Sequence, residues 1–232
     1  MTIHGFQKMT LLDFPGRVAC TVFTAGCNFR CPFCHNALLV TELDGSMAIP
    51  EEDVLSLLKK RRGLLAGVAV TGGEPCLQPD LAEFLRKIKD LGYPVKLDTN
   101  GSFPDKLASL IDEGLVDYVA MDIKNSREKY EKTAACPPDL LPRVEQSVAL
   151  LLGGRVEYEF RTTVMNEFHE PDDFDAIGRW IAGAPKYFIQ PFKDSGDLIC
   201  KQPFTTPDRD TLAAMCGAVR PYVGSVRMRG TD

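Results

Sequence analysis

Short β-branched and apolar runs alternating with helical periodicity predict an α/β fold, a partial, open (β/α)6 barrel of parallel strands. Three observations carry this expectation. Strand-like and helix-like segments follow one another repeatedly along the chain, which implies parallel pairing through right-handed crossovers. Six such units in 232 residues fall short of the eight units and about 250 residues of a closed barrel. Polar clusters recur after the strand-like runs, where parallel α/β folds gather their reactive groups. A doubly wound open sheet satisfies the same periodicity and is the second arrangement.

The elements follow in order. Residues 18–24, VACTVFT, form an apolar run of strand length. Residues 50–62 read as a helix, with Pro50 in its first turn, Glu51 and Glu52 at its positive end and Gly63 as the stop. The basic run Lys59, Lys60, Arg61, Arg62 sits at the end of that helix, where cations suit the dipole. A second strand spans 68–71, and Leu81, Phe84, Leu85, Ile88 and Leu91 then recur at helical spacing up to Gly92. Further strands are predicted at 95–99, 118–123, 157–164 and 187–190. The helices between and after them are expected at 104–113, 140–152, around Phe174 to Ile181, and at 208–220, with a short last strand at 226–229. The reading is one domain over 1–232, its core about 16–193 and a C-terminal helix and short strand within 194–232.

Composition narrows the class. Hydrophobic residues at 44% and charged residues at 25% are ordinary for a soluble globular protein. A net charge of −5 gives no basic face for nucleic acid. No apolar stretch reaches the length that crosses a bilayer, and the start MTIHGFQKMTLLDF lacks the form of an export signal. The expected location is therefore cytoplasmic, with the eight cysteines as thiols or metal ligands rather than disulfides. Cys20, Cys76, Cys136, Cys200 and Cys216 lack ligand-like spacing and read as small buried hydrophobes.

The unusual residues fall after strand ends. CNFRCPFC (27–34) follows the first strand, and Gly72, Gly73, Glu74 and Pro75 follow the second. Asp98, Thr99, Asn100 and Gly101 close the third, and Asp122, Ile123, Lys124 and Asn125 the fourth. Arg161 lies on the fifth with Asn166 at its end, and Gln190, Pro191, Phe192 and Lys193 close the sixth. Six polar clusters on one rim predict a single site containing the cysteine loop.

Cys27, Cys31 and Cys34 are spaced C-x3-C-x2-C with no fourth cysteine nearby. Three thiolates can hold a [4Fe–4S] cube by three irons and leave the fourth open, as catalytic zinc sites keep one position free. With His35 the same three could instead make a closed Cys3His zinc site, although His35 directly follows Cys34 and adjacent residues rarely reach one metal without strain. A zinc-binding or electron-transfer protein with no chemistry of its own remains open at this point.

C-x3-C-x-aromatic-C, with Phe33 as the aromatic, followed one strand later by GGEP, resembles the radical S-adenosylmethionine (radical SAM) enzymes. GFQKMTLLDFPGRVACTVFTAGCNFRCPFCHN is similar to the activating proteins of anaerobic ribonucleoside-triphosphate reductase through its LLDFPG and CHN segments, and more distantly to the pyruvate formate-lyase activating enzymes. The resemblance implies an iron–sulfur oxidoreductase of TIM-like barrel fold. Its [4Fe–4S] cluster would cleave S-adenosylmethionine to methionine and a 5′-deoxyadenosyl radical, which takes hydrogen from a backbone glycine of a partner enzyme. It further implies a reduced flavodoxin- or ferredoxin-type electron donor. A radical SAM enzyme acting on a small molecule in cofactor biosynthesis is the alternative.

The resemblance also distributes roles. Cys27, Cys31 and Cys34 ligate the cluster and carry the catalysis. Phe33 packs near the adenine or fills the core. Gly72 and Gly73 let the backbone approach the cofactor, and their carbonyls with Glu74 accept the methionine ammonium group. Lys124 and Arg161 pair with the methionine carboxylate or serve as structural ion-pair partners, and Asn100 hydrogen-bonds the ribose or carboxylate. Asp98, Thr99 and Asp122 match a monovalent-cation site, chemically suited to hard cations. One departure is IQPFK, which places Lys193 where the formate-lyase activators carry a histidine. Residues from Lys201 onward map to nothing in the family pattern.

Overall fold

Cys20, Val22, Val68, Val70, Val95 and Leu97 are wholly buried, the pattern of strands covered on both faces in a parallel sheet. They lie on β2 (Ala19–Thr24), β3 (Gly67–Gly72) and β4 (Val95–Thr99), which continue into β5 (Tyr118–Asp122), β6 (Glu157–Val164) and β7 (Tyr187–Pro191). Each of these strands pairs in parallel with the next. They are the six expected strands. The computed structural model describes residues 1–42, 48–194 and 196–230.

The sheet is wider than six strands. β1 (Ile3–Thr10) adds antiparallel to β2, and β8 (Val226–Met228) adds parallel to β7, giving eight strands in sequential order with β1 and β8 as its two edges. The barrel is therefore open. β8 is the short last strand expected, whereas β1 was not anticipated. Its run IHGFQKMT buries only its two ends, and its register with β2 is broken twice, so neither alternation nor a continuous apolar block marks it.

The helices form where the periodicity places them. α2 (Glu51–Lys60) carries Glu51, Glu52 and Asp53 in its first turn, Lys59 and Lys60 in its last, and turns Val54, Leu55 and Leu58 inward. α3 (Leu81–Asp90), α4 (Pro104–Asp112), α6 (Leu141–Leu152), α7 (Pro171–Trp180) and α8 (Arg209–Val219) match the predicted segments closely. α7 starts on a reciprocal cap between Glu170 and Asp173. α1 (Ala37–Thr41) and α5 (Tyr130–Ala134) are five-residue helices that the sequence pattern did not mark. The buried apolar cluster runs from Ile3 to Val219. Among the described residues no helix is long and apolar enough to cross a membrane.

The LLDFPG segment turns under the barrel. Leu11 and Leu12 face solvent, Asp13 accepts a hydrogen bond from Thr21 at 2.6 Å, and Phe14 inserts against Ala19, Tyr118 and Gly67. These residues begin β2, β5 and β3, so Phe14 plugs the end of the barrel opposite the predicted site. Phe14→Ala is expected to lower stability by about 3 kcal/mol or more, as for other large-to-small core deletions. The measurement is a urea midpoint that falls at unchanged slope.

Candidate active site

Between β2 and α1 the chain forms a twelve-residue loop, 25–36, with almost no regular structure of its own. Its backbone is held from outside. Gly26 donates to Leu39 and accepts from Glu74, both at 2.8 Å, and Arg30 donates to Ala134 at 3.2 Å. Asn28 donates to Ser102 and accepts from Asn100, at 2.9 and 3.0 Å, and Asn36 donates to the Gly72 carbonyl at 2.9 Å. Cys27, Cys31 and Cys34 then share one cavity of about 390 Å³ at the carboxyl ends of the strands.

The cavity gathers the predicted rim. Thr71, Gly72 and Gly73 line it at the end of β3, Asp98, Thr99 and Asn100 at the end of β4, Asp122 and Lys124 at the end of β5, Arg161 from β6, and Gln190, Pro191 and Lys193 at the end of β7. Asn166 does not join them; its side chain donates instead to Thr205 and Thr206. Phe33 lines the cavity, and at only 4% exposed it also packs on Phe168 and Phe204.

The glycine pair serves loop packing. A Cβ on Gly73 would stand 2.0 Å from the Gly26 carbonyl oxygen, and one on Gly72 would stand 2.3 Å from that of Thr24. Both contacts are with backbone, which cannot swing aside. The two glycines therefore let the β3 turn press against the cysteine loop, and Gly72 also holds φ at +118°.

Glu74 is engaged by the protein itself. Its side chain is wholly buried and lies outside the cavity lining. Its carboxylate accepts from the backbone of Cys76 at 2.9 Å, from Thr99 Oγ1 at 2.8 Å and from the backbone of Asn100 at 2.7 Å. The residue clamps the end of β3 to the end of β4. Burial pushes its carboxyl up, against those three donors.

A compact charge system fills the cavity wall. Asp122 accepts from Arg161 and, at 2.9 Å, from Lys124; Asp98 pairs with Arg161 at 3.1 Å and with Lys96. Burial alone would raise both carboxyls, but Arg161 with Lys124 around Asp122, and Arg161 with Lys96 around Asp98, hold them below the usual range. Burial would lower Lys124, and Asp122 outweighs it and keeps the ammonium charged. Two carboxylates thus face three cations. Thr99 Oγ1 donates to Glu74 at 2.8 Å.

The thiols suit a cluster better than a single ion. Burial pushes Cys27 up to about 11 and Cys31 up to about 12, and raises Cys34; iron binding would deprotonate them. Among the described residues no group of three or more His, Cys, Asp or Glu side chains converges where one metal ion could sit. His35 stacks on Phe192, with centroids 5.3 Å apart and planes 16° from parallel. A closed Cys3His zinc site has no support in this geometry. A cube takes each thiolate at a different iron, and three cysteines on one cavity wall fit it.

An open parallel barrel with three thiols and two paired cations lining the cavity at its mouth is a site suited to an iron–sulfur cluster, the mark of a redox enzyme. The chain belongs to the radical SAM superfamily, whose family model matches residues 21–175. A Methanocaldococcus jannaschii protein named as a candidate glycyl-radical enzyme activating enzyme is 30% identical over 235 residues, covering 98% of this chain and 95% of that protein. The pyruvate formate-lyase-activating enzyme of Clostridium pasteurianum is 33% identical over 129 residues, about half of each chain (53% and 52%). Among solved structures, Streptococcus suis SuiB bound to S-adenosylmethionine superposes with a TM-score of 0.69 at 14% identity, over 89% of this chain and 49% of SuiB. The protein is a radical SAM enzyme, of a family that uses a [4Fe–4S] cluster and S-adenosylmethionine.

Several lining residues were not singled out as ligand contacts. Thr163 is two residues beyond Arg161 on β6 and shares its face, a signal available from strand alternation. Asn36 follows the CH that ends the motif. Arg229 and Gly230, at the far end of the chain, also line the cavity. Arg229 reaches there by a two-pronged pair with buried Glu159, at 2.6 and 3.0 Å, and by lying 3.8 Å over the Phe188 ring. No local pattern announces that pairing.

Two outcomes follow from the site's construction. Gly73→Ala should cost about 1–3 kcal/mol by overpacking against the Gly26 backbone and reduce iron uptake, read by denaturation and iron content. Asp122 has its folded pKa depressed below the ordinary 3.8, so its stabilising contribution is present above that value and lost as pH falls below it. Asp122→Asn should therefore flatten the fall in stability below about pH 4, measured as urea midpoints at pH 6 and pH 3.

Proposed function

We propose that the protein is a glycyl-radical activating enzyme. The observation that carries this reading is the whole-length likeness to the Methanocaldococcus jannaschii protein, which extends beyond the shared barrel into both chain ends. The bound cluster and S-adenosylmethionine supply a 5′-deoxyadenosyl radical that takes a hydrogen atom from a backbone glycine of a partner protein. The partner is the anaerobic ribonucleoside-triphosphate reductase, a choice supported by the LLDFPG and CHN segments. The electron comes from a reduced flavodoxin- or ferredoxin-type protein.

In this reading Cys27, Cys31 and Cys34 hold the cluster. Arg161 uses Nε on Asp122 and Nη1 on Asp98, which leaves Nη2 for the ligand's carboxylate. Among the described residues the Lys124 ammonium pairs with Asp122 and keeps two further donors. The Gly72 carbonyl keeps a second lone pair beside its bond from Asn36, and with Gly73 and Glu74 it receives the ammonium group. Asn100 Nδ2 lies 3.8 Å from the Cys27 sulfur and orients that side of the site. A cavity of about 390 Å³ is small-molecule sized, so the target glycine must enter on an extended loop.

The test is anaerobic reconstitution with iron and sulfide, then assay of 5′-deoxyadenosine under a strong reductant. Alanine at any of the three cysteines should abolish cleavage. Lys124→Ala and Arg161→Ala should each raise the KM for S-adenosylmethionine about tenfold or more, since a hydrogen bond to a charged group contributes about 1.5–3 kcal/mol. Mixing with the reductase should yield a glycyl electron paramagnetic resonance doublet. Cleavage without any doublet on the reductase would remove that partner assignment.

A further inference from the structure

Residues 199–206, ICKQPFTT, have no regular structure, yet they run along the outer face of the cysteine loop and are tied at several points. The Cys200 N–H donates to the Pro32 carbonyl at 3.0 Å. Phe204, 8% exposed, packs its ring on Phe33, Phe168 and Phe192 at centroid distances of 6.4, 5.9 and 5.8 Å. Thr205 donates twice to Glu167 through its backbone and hydroxyl, at 2.9 and 2.7 Å, and Thr206 Oγ1 donates to the Phe192 carbonyl at 2.6 Å.

The inner half of the cysteine loop is secured by other elements, through Gly26, Asn28 and Arg30. The stretch 31–34, which carries two of the three thiols, is different. Its own bond runs from Cys34 N–H to the Cys31 carbonyl at 3.1 Å. Among the described residues, the hydrogen bond that reaches it from outside the loop is the one from Cys200. The apolar contact that backs it is Phe33 against Phe168 and Phe204.

We infer that the 199–206 segment is a strap that positions Cys31 and Cys34 for the cluster and shields that side of it from water, with Phe204 as the anchoring residue. Phe204 acts through Phe33 and is a positioning residue. The inference rests on the cluster that the family uses and not on the identity of the radical's target. Loss of the ring frees the strap, lets residues 31–34 open and admits water beside two cluster ligands. A more solvated cluster accepts an electron more readily, because added negative charge is better screened.

The experiment compares reconstituted wild type with Phe204→Ala, Phe204→Leu, Thr206→Val and Leu151→Ala, all kept anaerobic. Leu151 is a wholly buried residue of α6 and controls for general loss of core. The readouts are the rate of iron release to a strong chelator and the cluster's reduction potential. Phe204→Ala should release iron about tenfold faster or more, as expected for deletion of a large packed ring, and raise the potential. Phe204→Leu should recover most of both, and Thr206→Val should move both in the same direction by less. Leu151→Ala should leave both unchanged at a comparable loss of melting temperature. Wild-type release and potential in Phe204→Ala would overturn the inference, as would equal acceleration in Leu151→Ala. If Phe204→Ala does not fold, wild-type behaviour of Thr206→Val overturns it.

Discussion

The contact on which the site depends is between two backbones. The turn after β3 lies so close to the cysteine loop after β2 that a single methyl group on Gly73 would collide with the Gly26 carbonyl. Hydrogen bonds from Gly73 to Thr24 and from Glu74 to Gly26, at 2.9 and 2.8 Å, stitch the two segments together. This places a loop with little structure of its own against a rigid strand end. The cysteines inherit their position from that docking. Glu74 extends the same seam to β4 through Thr99 and Asn100, so three successive strand ends become one unit.

Beside this seam lies the second constraint, a buried charge system that balances itself. Arg161 bridges Asp98 and Asp122, while Lys96 and Lys124 take the outer positions. Buried charges persist only when paired, and here Lys124 and Arg161, the two cations of the system that line the cavity, are both paired with carboxylates. Neither of these two cations is a bare buried charge. Lys96 and Asp98 stand two residues apart on β4, so strand alternation brings both to one face, while Lys124 lies just past the end of β5 and turns back to Asp122.

Much of the fold was legible because each parallel strand and its helix obey their own periodicity. The strands β2 to β7 and the helices α2, α3, α4, α6, α7 and α8 stand where apolar spacing and end signals put them. β1 was not legible, since an edge strand with broken register needs neither alternation nor a continuous apolar run. The cysteines, the glycine pair, Lys124 and Arg161 were identifiable as residues of unusual type following strand ends. What the motif did not announce is how the protein itself holds Glu74, through the backbone of Cys76 just after it and through Thr99 and Asn100 at the end of β4.

The amino-acid sequence alone determined the strand–helix alternation, the rim on which polar residues collect and the three-thiol chemistry of the loop, because each depends on residue type and short-range spacing. Only the tertiary structure decided that Asp98 and Asp122 are already neutralised, that Arg229 returns from the chain's end to the cavity, and that residues 199–206 back the cysteine loop. Those facts depend on contacts between segments tens to hundreds of residues apart, whose partners are chosen by packing in space and leave no periodic trace along the chain.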